Sequence, residues 1–168
     1  MRRLVLSVLC LAVLAACQPA TVEMTVVLNE EEKAEVEAEV KALDDDLMAT
    51  VVAWDLDPFL SFFGDDVTYA LFGEVQRGLS IWRDQVTPFF EQAPSIEKCD
   101  MNNLHYQVLS SEIVISSSAV ECVGPVADGG PVVIDHTWTA VWVKRNDEWK
   151  IVNMSETYPT AETAQEGN

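Results

Sequence analysis

The stretch that decides the fold runs from Pro131 to Tyr158 and reads PVVIDHTWTAVWVKRNDEWKIVNMSETY. Two long runs of β-branched and aromatic residues flank the polar pair Asn146-Asp147, which tolerates a tight turn. The stretch therefore predicts a terminal β-hairpin. Apolar residues occur on both faces of this ribbon, so both faces need a cover. We expect helices on one face and a partner on the other.

A pairing of Arg145 with Glu148 across the turn sets the register of this hairpin. Because alternate residues of a strand point to opposite faces, the register also decides which side chains share a face. Three further pairs follow from it: Trp142 with Ile151, Thr139 with Met154, and Asp135 with Tyr158.

Residues 1–16 are predicted to be a bacterial lipoprotein signal peptide. Arg2 and Arg3 form a basic start, and the apolar run Leu4–Leu14 is too short to span a bilayer. The small pair Ala15-Ala16 then precedes Cys17, which resembles the lipobox of bacterial lipoproteins. That resemblance implies that Cys17 is lipidated, with palmitate, and becomes the first mature residue. An ordinary signal peptide followed by an incidental Cys is the alternative.

The resemblance also implies where the chain is located. Residues 17–28 are expected to form the lipidated Cys and a tether, residues 29–158 the folded domain, and residues 159–168 a flexible tail. Such a protein is anchored by lipid in the cell envelope. The residue after the Cys is Gln18. In Gram-negative lipoproteins, an Asp at this position would oppose export to the outer membrane. In a Gram-negative cell we therefore expect the periplasmic face of the outer membrane.

The charge of the chain limits its partners. The formal net charge is −18 at pH 7, and removal of Arg2 and Arg3 with the signal peptide makes it more negative by two. We expect the chain not to bind nucleic acid, because contacts to phosphate need Lys and Arg side chains. The negative charge serves general solubility, adaptation to salt or the attraction of cations.

Three helices are predicted in the first half of the domain. Asn29 and Glu32 have the spacing of a capping box, and Asp57-Pro58 and Ser80 begin the second and third helices. Asp44–Asp46 is interpreted as part of a solvated helix face, because consecutive helical side chains diverge too far to bind one metal ion. The first helix has an apolar stripe formed by Val36, Val40, Leu43, Leu47, Val51 and Trp54.

Two cysteines are expected to form a disulfide. Residues 96–109 and 112–123 read as two strands joined at Ser110-Ser111, and a simple hairpin register places Cys99 opposite Cys122. Export places them in an oxidising compartment, where cross-strand cysteines are within bridging range. Two buried free thiols are the alternative.

Several segments together resemble the nuclear transport factor 2-like (SnoaL-like) superfamily. They are Trp54–Asp57, Phe62–Tyr69, Gly78, Thr139–Trp142 and Glu148–Val152. The resemblance implies an α+β fold in which a curved antiparallel sheet wraps on three N-terminal helices and forms a cone with a pocket. The superfamily holds enzymes as well as binding and dimerising modules, so the fold does not decide the function.

The resemblance to ketosteroid isomerases within that superfamily suggests one catalytic candidate. Val133–His136 resembles the isomerase strand that bears a protonated Asp, which implies that Asp135 points into the pocket and acts as an acid. The chain departs from the isomerases at the positions of their general base, here Ala70-Leu71, and of their Tyr, here Leu47. A structural Asp135–Tyr158 pair is therefore the alternative. The same match directs further side chains into the pocket: Thr137, Thr139, Val152, Met154 and Glu156.

Aromatic residues suggest two more sites. One set could line an apolar cavity or fill the core: Trp54, Phe63, Tyr69, Leu71 and Trp82. Trp138 and Trp142 share the opposite face of the hairpin, where they could form a homodimer interface or lie under a local loop.

Three functional hypotheses follow. The first is a membrane-anchored lipoprotein that binds a small apolar molecule, with catalysis not assured. The second is an isomerase, cyclase or hydratase that uses Asp135 as acid, assisted by Tyr69, Glu156 or Tyr158. The third is a non-catalytic dimeric interaction module. We expect no cofactor and no metal, because no Gly-rich phosphate loop occurs and the two His lack an obvious third ligand.

Overall fold

The computed structural model describes residues 27–71, 73–92, 96–124 and 132–159. The predicted signal peptide, Cys17, most of the tether and nearly all of the tail lie outside these ranges. No helix within them is both long and apolar enough to cross a membrane. The described elements are, in chain order, α1 (Glu30–Ala53), α2 (Leu56–Ser61), β1 (Phe63–Leu71), β2 (Glu74–Arg77), α3 (Leu79–Gln92), β3 (Lys98–Ser110), β4 (Ile113–Gly124), β5 (Val132–Arg145) and β6 (Glu148–Thr157).

The six strands form one sheet in the order β2-β1-β6-β5-β4-β3. The sheet is antiparallel, as predicted, except that β1 and β6 are parallel neighbours. Parallel neighbours need a long connection, and here α3 and four strands lie between β1 and β6 in sequence. α1 contacts β3 and α3 contacts β1, so the architecture is the predicted α+β arrangement of helices on a sheet.

The start of α1 has the predicted capping box. The Asn29 side chain accepts hydrogen bonds from the backbone nitrogens of Glu31 (2.9 Å) and Glu32 (3.0 Å). The Glu32 carboxylate in turn accepts one from the backbone nitrogen of Asn29 at 2.8 Å. Three donors at the helix start are thus satisfied, which stabilises α1 where it enters the fold.

The terminal hairpin has the predicted turn but not the predicted register throughout. Asn146 and Asp147 have φ angles of 53° and 64°, as a tight two-residue turn requires. Arg145 and Trp142 pair with Glu148 and Ile151 as predicted, and then β6 contains one extra residue, Val152. Beyond this bulge, every pairing moves by one. The predicted Thr139–Met154 and Asp135–Tyr158 pairs are wrong, because the observed pairs are Thr139–Ser155, Ala140–Met154 and Trp138–Glu156.

Cys99 and Cys122 lie directly opposite each other and are joined by a disulfide, with their Cα atoms 4.0 Å apart. The β3–β4 hairpin closes at Ser110 and Ile113, one position later than predicted. Two register shifts along β3 compensate for that difference before the strands reach the cysteines. The disulfide therefore ties the edge strand β3 to the sheet.

Asp44 lies in the core, which corrects the interpretation of residues 44–46 as a solvated face. Its side chain has no solvent exposure and sits between Val40 and Leu47 on the buried stripe of α1. Neither carboxylate oxygen makes a hydrogen bond of standard geometry to a described residue. Burial raises the pKa of Asp44 to about 6, although nearby polar groups of Tyr106, Ser116 and Trp142 act to lower it.

The raised pKa of Asp44 predicts pH-dependent stability. The proton on this carboxyl stabilises the fold below its ordinary pKa of 3.8, and that contribution is lost as the pH rises through about 6. At pH 7 the Asp44→Asn variant should be more stable than the wild type by roughly 3 kcal/mol, with no difference near pH 3.5. Urea unfolding across this pH range measures the difference in the free energy of unfolding between the two proteins.

Asp46→Asn is the matched control, because Asp46 is exposed on the same helix. It should leave the pH dependence of the wild type unchanged. A stability gap for Asp44→Asn that stays constant from pH 3.5 to 7 would contradict the prediction.

Candidate functional site

A cavity of about 130 Å³ lies between the helices and the sheet, at the end where β1 and β6 finish and β3 and β5 begin. The helices contribute apolar side chains to its wall: Met48, Val51, Phe59, Trp82, Val86, Phe89 and Phe90. The sheet and the segments beside it contribute Leu71, Ile96, Cys99, Val120, Cys122, Ile134, His136, Trp138, Glu156 and Tyr158. The wall is thus largely apolar, with a few polar groups on the sheet side.

Glu156 and Tyr158 form the polar part of the wall. The Tyr158 hydroxyl donates a hydrogen bond to the Glu156 carboxylate at 2.7 Å. Burial raises the pKa of Glu156, and the Tyr158 hydrogen bond offsets only part of that effect. The carboxyl is therefore held in an environment that favours its neutral form more than water does.

His136 completes this group. Its ring stacks on Tyr158, with the ring centroids 5.1 Å apart and an interplanar angle of 23°. Burial lowers the pKa of His136, although the nearby Asp135 acts to raise it, so the imidazole is disposed to be neutral at pH 7. Its Nδ1 is buried and makes no hydrogen bond to any described residue.

Two indole N–H groups on the wall are also unpaired. The Nε1 atoms of Trp82 and Trp138 are buried and make no hydrogen bond within the described part of the chain. By contrast, other buried or half-buried Trp residues have partners. Trp142 Nε1 donates to Ser116 Oγ at 3.3 Å, and Trp54 Nε1 donates to the carbonyl of Phe90 at 2.7 Å.

The predicted catalytic acid does not belong to the cavity. Asp135 and Thr137 are exposed on the outer face of the sheet, where Asp135 lies directly opposite Glu121. The prediction that these side chains, with Thr139, point into the pocket is wrong. The prediction came from the resemblance of Val133–His136 to the isomerase strand. Along β5, the residues that face inward are the alternate ones, and they include Trp138 and Trp142.

The predicted dimer face is wrong for the same reason. Trp138 is 4% exposed and Trp142 is fully buried, so both belong to the hydrophobic core. An outer-face homodimer cannot use them as exposed aromatic contacts.

The other predicted pocket residues divide into two groups. Leu71, Trp82, Glu156 and Tyr158 line the cavity. The remaining ones pack in the core beside it: Trp54, Phe63, Tyr69 and Met154. Trp54 stacks on Phe90 at 4.7 Å, and the Tyr69 hydroxyl donates to Gln76 at 2.9 Å.

His136 and Trp138 are parts of the wall that were not predicted from the sequence. One signal could have found them. On β5, the set Ile134, His136, Trp138, Ala140 and Trp142 contains both Trp residues, whereas the alternate set contains Asp135 and Thr137. The set with more apolar area belongs inside.

Within the described ranges, no group of three or more His, Cys, Asp or Glu side chains is arranged to bind a metal ion. The acid–base groups of the cavity are Glu156, His136 and Tyr158.

Comparison with solved structures identifies the fold as the nuclear transport factor 2-like fold. A hexachlorocyclohexane dehydrochlorinase (LinA-type3) from Novosphingobium barchaimii superposes with a TM-score of 0.65 at 18% identity, over 79% of this chain and 92% of that chain. A protein from Streptomyces avermitilis, assigned to dehydratases of the nuclear transport factor 2-like family, gives 0.67 at 13% identity, over 77% and 99%.

The association domain of the calcium/calmodulin-dependent kinase II of C. elegans has the same fold, with a TM-score of 0.64 at 14% identity over 77% of this chain and 99% of that chain. No protein-family model matches the sequence, and no curated protein matches it. Enzymes and an association domain thus share this fold. The function must therefore be argued from the residues of this chain.

The position of Asp135 predicts that it does not contribute to binding in the cavity. The Asp135→Asn variant should keep the wild-type affinity for molecules that enter the cavity. Its free energy of unfolding should rise by about 0.5 kcal/mol, because the substitution removes a like charge directly opposite Glu121. Calorimetric titration and urea unfolding measure the two effects. A loss of cavity binding in this variant would contradict the placement.

Proposed function

We propose that this chain is a membrane-anchored lipoprotein whose cavity binds a small, largely apolar molecule. The observation that carries the proposal is the cavity itself. It is bounded on the helix side by Trp82, Val86 and Phe90 and on the sheet side by the Cys99–Cys122 disulfide and Trp138. Ligand sites of soluble proteins are concave and mostly apolar, with a few polar groups that orient the ligand.

The size of the cavity limits what it holds. An apolar cavity of about 150 Å³ in another protein stays dry and binds benzene. The cavity of this chain has a volume of about 130 Å³, so it suits a molecule with one ring or a short branched chain. Phe89 is 47% exposed and lies on the wall, which places the wall partly at the protein surface.

The geometry favours binding over the other two hypotheses. The enzyme hypothesis relied on Asp135 as acid, and that side chain lies on the opposite face of the sheet from the cavity. The dimeric module relied on exposed Trp138 and Trp142, which are buried.

A substitution that fills the cavity tests the binding proposal. Wild-type protein should bind toluene with one-to-one stoichiometry, and Val86→Phe should abolish that binding because the larger side chain occupies the same space. Calorimetric titration measures both. Toluene at about 100 times its Kd should also stabilise the wild type by about 2.7 kcal/mol.

Val75→Phe is the matched control, because the same substitution is made at a side chain that is 71% exposed. It should bind toluene as the wild type does. Toluene binding by Val86→Phe as tight as that by Val75→Phe would refute the proposal.

The anchor is proposed from the sequence around Cys17. Lipidation of this Cys, with removal of residues 1–16, would hold the domain on a tether of residues 17–28, at the periplasmic face of the outer membrane in a Gram-negative cell. A lipid anchor suits so acidic a chain, because anionic lipid would repel its surface.

A pair of cysteine substitutions tests the anchor. Cells fed labelled palmitate should incorporate it into the wild type and into Cys10→Ser, since Cys10 lies within the apolar run of the signal peptide. Cys17→Ser should carry no label, because it lacks the thiol that is lipidated. Label retained by Cys17→Ser, or absent from the wild type, would rule out this anchor.

A further inference from the structure

The polar atoms of the cavity wall are incompletely paired. Trp82 Nε1, Trp138 Nε1 and His136 Nδ1 are buried without a hydrogen-bond partner among the described residues, and all three residues line the cavity. Buried polar groups in native proteins are almost always paired with protein, water or ligand. An indole nitrogen is a donor only. The two Trp residues therefore require an acceptor.

One of these donors belongs to a residue whose cross-strand neighbour carries an acceptor. Trp138 and Glu156 are directly opposite on β5 and β6 and point to the same inner face, so their Cβ atoms are about 5 Å apart. The Glu156 carboxylate already accepts from Tyr158, and a carboxylate has about four acceptor sites. Two opposed residues of the wall thus carry an unpaired N–H donor and an acceptor with unused sites.

The charged and polar groups of the cavity wall disfavour a ligand that is itself an ion. The lining residues include Glu156 but no Lys or Arg, so a carboxylate ligand would meet a like charge without a counter-ion. An ammonium ligand could pair with Glu156, but it has no lone pair to accept from the indole nitrogens. A hydroxyl group both accepts and donates, so it matches both neighbours.

We infer that the cavity selects a neutral molecule of single-ring size that carries a hydroxyl group, which accepts a hydrogen bond from Trp138 and donates one to Glu156. This inference rests on the proposed binding function and adds the chemical class of the ligand. Trp138 is then a residue that determines specificity. The apolar helix side of the wall contacts the ring.

Phenol and toluene test the inference, because they have the same number of heavy atoms and differ in the hydroxyl group. A purely apolar cavity would bind phenol at least tenfold more weakly than toluene, since burial of an unpaired hydroxyl is unfavourable. The wild-type protein should instead bind phenol at least as tightly as toluene. Calorimetric titration of the two ligands gives the ratio of their Kd values.

Variants assign the effect to Trp138. Trp138→Phe keeps an aromatic ring but removes the N–H, so it should shift the ratio about tenfold in favour of toluene. Trp149→Phe is the matched control, because Trp149 Nε1 donates to Glu39 and the residue does not line the cavity. Its ratio should equal that of the wild type.

The outcomes separate the two proposals. Toluene binding with phenol at least tenfold weaker would overturn the hydroxyl inference and leave the binding function in place. An unchanged ratio in Trp138→Phe, or tighter binding of benzoate or benzylammonium than of phenol, would also overturn it. If none of the four compounds binds the wild type, the proposed function itself fails. The wild-type ratio decides the inference even if Trp138→Phe does not fold.

Discussion

One extra residue in β6, Val152, fixes which side chains in the last part of β6 face the helices. Without it, the register set at the tip would continue and would bring Asp135 opposite Tyr158. With it, Ile151 and Met154 are successive inward-facing residues of β6, and Glu156 pairs with Trp138 on β5. A shift of one residue exchanges the two faces of a strand. The presence of Glu156 in the cavity wall depends on this bulge, whereas Asp135 is outside the wall because β5 alternates without interruption from the buried Trp142.

The features that the sequence predicted well are those with local causes. The capping box at Asn29, the turn at Asn146-Asp147 and the order of helices and strands each follow from a few neighbouring residues. The Cys99–Cys122 pairing was also predicted, although two shifts along β3 had to cancel for the simple register to hold. Which face of β5 is buried depends on tertiary contacts. A pairing rule extended from the turn has no means to detect the bulge in β6, and the inner face of β5 was assigned from the resemblance of Val133–His136 to the isomerase strand. The apolar area of the two faces of β5 would have indicated the correct one.

The two ends of the inner face differ in how well their polar groups are paired. Near the hairpin tip, Glu39 of α1 accepts hydrogen bonds from Lys144 and Trp149, each at 2.9 Å, and these contacts lower its pKa. Further along α1, Asp44 is buried without a well-formed hydrogen bond. At the far end lies the cavity with its unpaired indole nitrogens. The buried carboxyl of Asp44 lowers the stability of the fold at neutral pH. Because Asp44 does not line the cavity, ligand binding there does not explain its burial.

The same fold supports a dehydrochlorinase and a kinase association domain, so the account depends on whether the space beside Trp82 and Trp138 is a real cavity or filled core. A crystal structure of the domain determined under xenon pressure tests this most directly, because xenon enters empty apolar cavities of this size. The account predicts a xenon atom bounded by Trp82, Val86 and the Cys99–Cys122 disulfide. Side chains that close this space, with no xenon between the helices and the sheet, would contradict it.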